Sequence, residues 1–209
     1  MGLDFSYRLY FKRDHLWDVL QGLVEICDLH DPPALIHFPD HVLSIPLDPW
    51  GEESNDLRHD ASRFGFAIVI NFERDDVILE YINRMYRNQD TYRNPADSEG
   101  QKIGIGIIYL AVYQEIPEHP DSDLVLFDFG TTGTRMSLLF DESTSIRRTF
   151  TKFLSDFQGV CGVFNREDNG ELFWLNGQET YKWIQDPFMM PDEIEHKLGE
   201  QRDGFGDDQ

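Results

Sequence analysis

Apolar positions along this chain change period in a regular order, from two to between three and four and back to two. Residues 5–11, Phe-Ser-Tyr-Arg-Leu-Tyr-Phe, alternate closely enough to predict a half-buried strand. Asp14 is placed to cap a helix whose stripe is Leu16, Val19, Leu20, Leu23, Val24 and Cys27, and Pro32-Pro33 ends it. Two short apolar runs, 34–38 and 42–47, flank Pro39-Asp40-His41 and predict a hairpin near a sheet edge. A polar loop is expected over 48–63.

The pattern then restarts. Phe64–Phe72 is apolar enough for a strand buried on both faces, and Asp75 caps a helix carrying Ile78, Tyr81, Ile82 and Met85. A second loop covers 88–100; Ile103–Ile116 reads as a long strand with a bulge near Gly104 and Gly106, and Leu124–Phe129 pairs back onto it. The third round opens with Arg135–Phe140 as a strand. Ser143 or Thr144 then caps a helix with Ile146, Phe150, Phe153, Leu154 and Phe157 on one face, and Gly159 ends it. A hairpin of 160–165 and 172–176 follows, turned by Glu167-Asp168-Asn169-Gly170.

The strand-to-helix junction repeats almost letter for letter, as Phe11-Lys12-Arg13-Asp14 and Phe72-Glu73-Arg74-Asp75, with a looser copy from Phe140. This predicts an α+β fold with a largely antiparallel sheet. It is built from three strand-helix-hairpin units, 5–47, 64–129 and 134–176, with helices mainly on one face. One domain over 1–190 is expected, with an acidic, partly flexible tail over 191–209 that holds a short helix near Asp192–Leu198.

Composition adds the sign of the surface. With 39 acidic residues against 18 basic ones, the formal net charge is -21, a field that repels nucleic-acid phosphates and anionic lipid. A basic protein is the partner such a field attracts. Cys27 and Cys161 lack the spacing of a disulfide framework, and no run approaches the roughly 20 apolar residues of a membrane span. A soluble cytoplasmic protein, monomeric or a small homo-oligomer, is expected.

Chemistry is harder to find. Asp128-Phe129-Gly130-Thr131-Thr132-Gly133-Thr134 resembles the first phosphate loop of the actin and sugar-kinase superfamily, which sets Asp-x-Gly-Thr-Thr between two strands. The resemblance implies nucleotide phosphates held by the loop, with Asp128 working through Mg²⁺ and Gly130, Thr131 and Thr132 around the phosphates. It covers seven residues and no second such loop follows, so a Gly-rich hairpin turn and no nucleotide are expected. His37, Asp40 and His41 supply three potential zinc ligands, yet Pro39 breaks the helical spacing that would align them, and a solvent-facing turn without metal is expected. No cofactor is called for. Cys161, among apolar neighbours, reads as a buried thiol.

Aromatic residues are the remaining signal. Trp174, Tyr181, Trp183 and Phe188 crowd one segment, and Trp50 stands in an acidic loop, so these five form the expected interface. The reading is a non-enzymatic, acidic protein-binding module, of immunity or inhibitor type, toward a basic protein. The alternative is a hydrolase or transferase whose site gathers His and acidic residues distant in sequence.

Overall fold

A computed structural model describes residues 2–50, 55–86 and 100–203 of the chain. Most of the loop expected over 88–100, part of the 48–63 loop and the end of the tail lie outside the described residues. Strand β1 (Ser6–Lys12) leads through a 3-10 turn (Arg13–His15) into helix α1 (Leu16–Val24). Strands β2 (Ala34–His37), β3 (Val42–Ile45), β4 (Asp48–Pro49), β5 (Asp56–Arg58), β6 (Arg63–Ile68) and β7 (Asn71–Glu73) precede α2 (Asp76–Tyr86). Then come β8 (Lys102–Gly104), β9 (Ile108–Tyr113), β10 (Leu124–Gly130), α3 (Thr134–Glu142) and α4 (Thr144–Asp156). The chain continues with β11 (Cys161–Asn165), β12 (Gly170–Leu175), β13 (Gln178–Ile184) and α5 (Pro191–Asp203).

The fold is α+β, organised on an eight-stranded sheet of order β13-β12-β11-β1-β10-β9-β6-β4 whose neighbours all pair antiparallel. A small sheet β3-β2-β5 and a ribbon β7-β8 accompany it. β1 lies inside the large sheet, and every residue from Ser6 to Phe11 is buried. Its odd positions Tyr7, Leu9 and Phe11 enter the main core with the apolar stripes of α1, α2, α3 and α4. Its even position Tyr10 enters a second core with Leu126, Leu172 and Ile194 of α5. The strand expected to be half-buried is therefore covered on both faces.

Tyr7 is the centre of the main core. Its ring stacks on Phe150 at 4.4 Å and meets Phe140, Phe164 and Phe173 within 5.6 Å, while its hydroxyl donates to the Phe140 carbonyl. Such pairs add about 0.5–1.5 kcal/mol each beyond burial, which makes this one aromatic contact set a large share of a domain's net stability. Gly22 of α1 leaves room for the ring of Phe157 at the end of α4, which would lie 2.0 Å from any Cβ there.

Several expectations need correction. Arg135–Phe140 is helix, because Met136, Leu139 and Phe140 recur at helical spacing and are buried while Leu138 faces out; the third copy of the junction thus starts inside α3. Asp14 sits within the 3-10 turn and caps nothing. The long strands 64–72 and 103–116 each break, giving β6 with β7 and β8 with β9, and Gly106 at φ +107° marks the second break. The 48–63 loop contributes β4 and β5. The 160–176 hairpin is present, but its positive φ falls on Glu167, and an unanticipated Asn176-Gly177 turn (φ +48° and +81°) adds β13.

The caps of α2 and α4 share one carboxylate. Asp75 accepts from the Ile78 amide, the Ser145 amide and the Ser143 hydroxyl, while Ser143 accepts from the Ile146 amide to cap α4. Burial alone would raise the Asp75 pKa, but these donors outweigh it and hold the group below the usual carboxylate value. Asp75→Ala is expected to lower unfolding free energy by about 2–3 kcal/mol in urea titrations near neutral pH, since it removes caps of two helices. A folded pKa below the unfolded one makes this contribution full above the unfolded value and lost as pH falls through the folded one. The gap between the two proteins therefore closes below about pH 4, and a gap independent of pH would contradict the capping role.

Candidate functional site

Opposed residues in antiparallel strands project to the same face, so pairing registers trace rows across the large sheet. One row runs Val163, Arg8, Asp128, Ala111 and Gly65 on the face opposite α1–α4. A neighbouring row runs Gly130, Tyr109 and Ala67. The segment after β13 and helix α5 cover the part of this face nearer β12, where Tyr10, Leu126, Leu172, Met189 and Ile194 form the second core. Among the described residues no helix covers the part from β10 to β6. Its floor is made of small residues, with Ala67, Ala111 and Gly130 partly exposed.

Aromatic side chains rim that floor. The Trp50 amide bonds the Gly65 carbonyl at 2.8 Å, and the indole lies over Gly65, where a Cβ would sit 2.7 Å from the Trp50 carbonyl oxygen. Glycine is required at 65 for this approach. Trp50 stacks on Tyr109 with centroids 4.7 Å apart, both rings remaining exposed. The Arg63 guanidinium lies 5.1 Å over Tyr113. Phe188 closes the border toward α5 and is 57% exposed.

At the middle of the row stands a poorly compensated charge pair. Arg8 is only 6% exposed, donates to the Pro187 carbonyl at 2.7 Å and has its guanidinium 4.5 Å from the Phe188 ring. Its Nε approaches the Asp128 Oδ2 no closer than 3.9 Å. Arg8 Nε, Asp128 Oδ1 and the Tyr10 hydroxyl are buried with no hydrogen-bond partner. Burial pushes the Asp128 carboxyl above the usual carboxylate value, and the Arg8 charge and a hydrogen bond from the Ser6 side chain oppose that without cancelling it. Asp4 adds further repulsion.

An acidic hollow of about 660 Å³ adjoins this side of the sheet near the start of β10, lined by Leu124, Met190, Glu118, Asp121, Asp123, Asp192 and Glu195. Lys12 enters it and pairs with Asp123 at 2.6 Å.

The five residues expected to form one interface are divided. Trp50 and Phe188 border the open floor. Tyr181 and Trp183 lie on β13, the opposite edge from β4, seven strand spacings or roughly 33 Å away. There they shield the guanidinium groups of Arg147 and Arg166, with Trp183 4.4 Å from Arg166. Those arginines hold Glu171 and Asp141, with Arg147 bidentate on Glu171 at 2.6 and 2.9 Å. Trp174 is buried and donates to the Gly159 carbonyl at 2.7 Å, so it belongs to the core and presents no surface; β12 turns it inward past an irregular register between Leu172 and Trp174.

The other candidates are also placed. His37 pairs with Asp56 and His41 with Asp40, each at 2.8 Å, and His41 and His59 stack on Phe38. Among the described residues no three His, Cys, Asp or Glu side chains converge as a metal site. The Asp128–Thr134 segment joins a strand to helix α3, so it is no hairpin turn and lacks the strand on both sides that the phosphate-loop resemblance implies. Thr131 is bonded to Ser137, and Thr132 to the Met136 sulfur. Cys27 and Cys161 are free and buried, and burial pushes both thiols up to about 12. Arg8, Tyr109 and Tyr113 were not singled out in the sequence. A signal existed in the Tyr-Ala-Tyr alternation of 109–113 and in an arginine inside an apolar strand.

Because the folded Asp128 carboxyl holds its proton more tightly than the unfolded one, wild-type stability falls as pH rises from the ordinary carboxylate range toward the folded pKa. The slope is at most about 1.4 kcal/mol per pH unit. Asp128→Asn lacks this dependence. Its unfolding free energy minus that of the wild type is expected to increase with pH across that window and to stay flat below it; parallel curves would contradict the assignment. Compared with known proteins, the chain matches no family model, no curated protein and no solved structure.

Proposed function

We propose that this chain is a non-enzymatic, acidic protein-binding module of the cytoplasm, of immunity or inhibitor type, that engages a basic protein through the open face of its large sheet. The observation that supports this most strongly is the floor of small residues rimmed by the exposed Trp50–Tyr109 stack, with a partly exposed acid at its middle. Flat floors admit another protein's surface, and rigid aromatic rims supply contact area at little entropic cost. The net charge of -21 and the acidic hollow on the same side favour a basic partner and disfavour phosphate backbones or anionic lipid. Among the described residues no helix is long and apolar enough to cross a membrane. A monomer or small homo-oligomer is the proposed state.

Immobilised wild type and the Trp50→Ala/Tyr109→Ala variant, both verified as folded, are compared for retention of proteins at low salt, with identification by mass spectrometry. Basic proteins retained by the wild type, released by high salt and lost from the variant are expected. Equal retention by the two would contradict the assignment to this face.

A further inference from the structure

We infer that the groove between α2 and α3 seats the α3 of a second copy of this chain, so that two protomers pair with their α3 helices antiparallel about a two-fold axis level with Leu138 and Leu139. A hollow of about 490 Å³ lies between the two helices. Its α3 wall is Arg135, Leu138, Leu139 and Glu142, and its α2 wall is Val77, Glu80, Tyr81 and Arg84. Each set follows the three- and four-residue spacing of a single helical face. Leu138, at the middle of the α3 wall, is 43% exposed.

The charges on this face select a second copy. Glu80 and Arg84 pair with each other along α2, whereas among the described residues neither Arg135 nor Glu142 has an ion-pair partner. These two are opposite in sign and stand equally far along the helix on either side of the leucine pair, so reversing α3 about its midpoint exchanges them. A two-fold axis performs that reversal. It sets Arg135 of each protomer against the partner's Glu142, an isologous contact of two ion pairs around an apolar centre. Both charges also oppose their own helix, since Arg135 lies in the first turn, where the macrodipole is positive, and Glu142 at the last position, where it is negative. An antiparallel neighbour brings each of them to the helix end that favours it. Whole-chain charge points to the same place, because two molecules of net charge -21 repel, and the two arginines and two glutamates lining this hollow cancel while the hollow beside β10 is acidic. The helices stand on the other side of the sheet from the floor rimmed by Trp50 and Tyr109, so a dimer formed here leaves that floor free.

Sedimentation equilibrium of the full chain is compared with that of Arg135→Glu, Glu142→Arg and the double exchange, each verified as folded, at about 0.15 M salt to screen the general repulsion. The wild type is expected to show a concentration-dependent monomer–dimer equilibrium. Either single variant turns two ion pairs into two like-charge contacts and should raise the dimer dissociation constant at least about tenfold, and the double exchange, which restores both pairs in reversed order, should return it to within about fivefold of wild type. Glu142→Arg lowers the net negative charge, so a weaker dimer in that variant does not arise from general repulsion. Should a charge variant fail to fold, Leu138→Gln decides through the apolar centre, with a weaker dimer supporting the inference and an unchanged one refuting it. A wild type that stays monomeric up to about 1 mM overturns the inference. So does a dimer that the single variants leave intact, or one that the double exchange fails to restore. Capture of basic proteins through Trp50 and Tyr109 is expected to survive all of these substitutions, which keeps a failure of the dimer distinct from a failure of the binding face.

Discussion

Burial of β1 on both faces is the constraint from which the rest of the structure follows. A strand flanked by β10 and β11 and covered above and below has to satisfy two different environments with alternate residues. Tyr7, Leu9 and Phe11 meet the first with apolar contacts, and Tyr7 alone touches four phenylalanines from α3, α4, β11 and β12. Ser6, Arg8 and Tyr10 face the second, where only part of the surface is covered. The consequence is a buried cation on this strand, and its neighbour across the pair is Asp128. Packing on one face thereby fixes the position of charge on the other.

The two arginine-acid clusters of this protein show how differently such charges can be treated. Arg147 makes short hydrogen bonds to Glu171 and Arg166 bonds Asp141, and Tyr181 and Trp183 lie over the two guanidinium groups. That cluster leaves one buried atom, Arg166 Nη1, without a hydrogen-bond partner, yet it ties α4 and the end of α3 to β12 and the turn after β11. Around Asp128 the pairing is long, atoms are left without partners and burial raises the carboxyl pKa. Well-paired charges stabilise a fold, whereas an under-satisfied buried acid costs stability.

Much of the architecture was legible in the letters. Period-two and period-four patterns identified β1, α1, α2 and α4, and Asp75 and Ser143 cap helices as their positions imply. What misled was local ambiguity. Arg135–Phe140 carries enough apolar residues for either a strand or a helix, and the shared burial of Met136, Leu139 and Phe140 resolves it only in three dimensions. The candidate site was less legible because it is made by register. Trp50 was visible as an exposed aromatic, but nothing in its neighbourhood of sequence announces Tyr109 beneath it or Asp128 beyond it. Trp174 and Trp183, nine positions apart, point to the core and to the surface respectively because β12 turns back into β13 at Asn176-Gly177.

Hydroxyl-radical footprinting of the chain, alone and bound to a captured basic protein, tests the central claim most directly. The account predicts protection of Trp50, Tyr109 and Phe188 on binding, while Tyr181 and Trp183 at the far edge react as before. Protection of Tyr181 and Trp183 with an unchanged Trp50 and Tyr109 would contradict it and transfer the binding surface to the β13 edge.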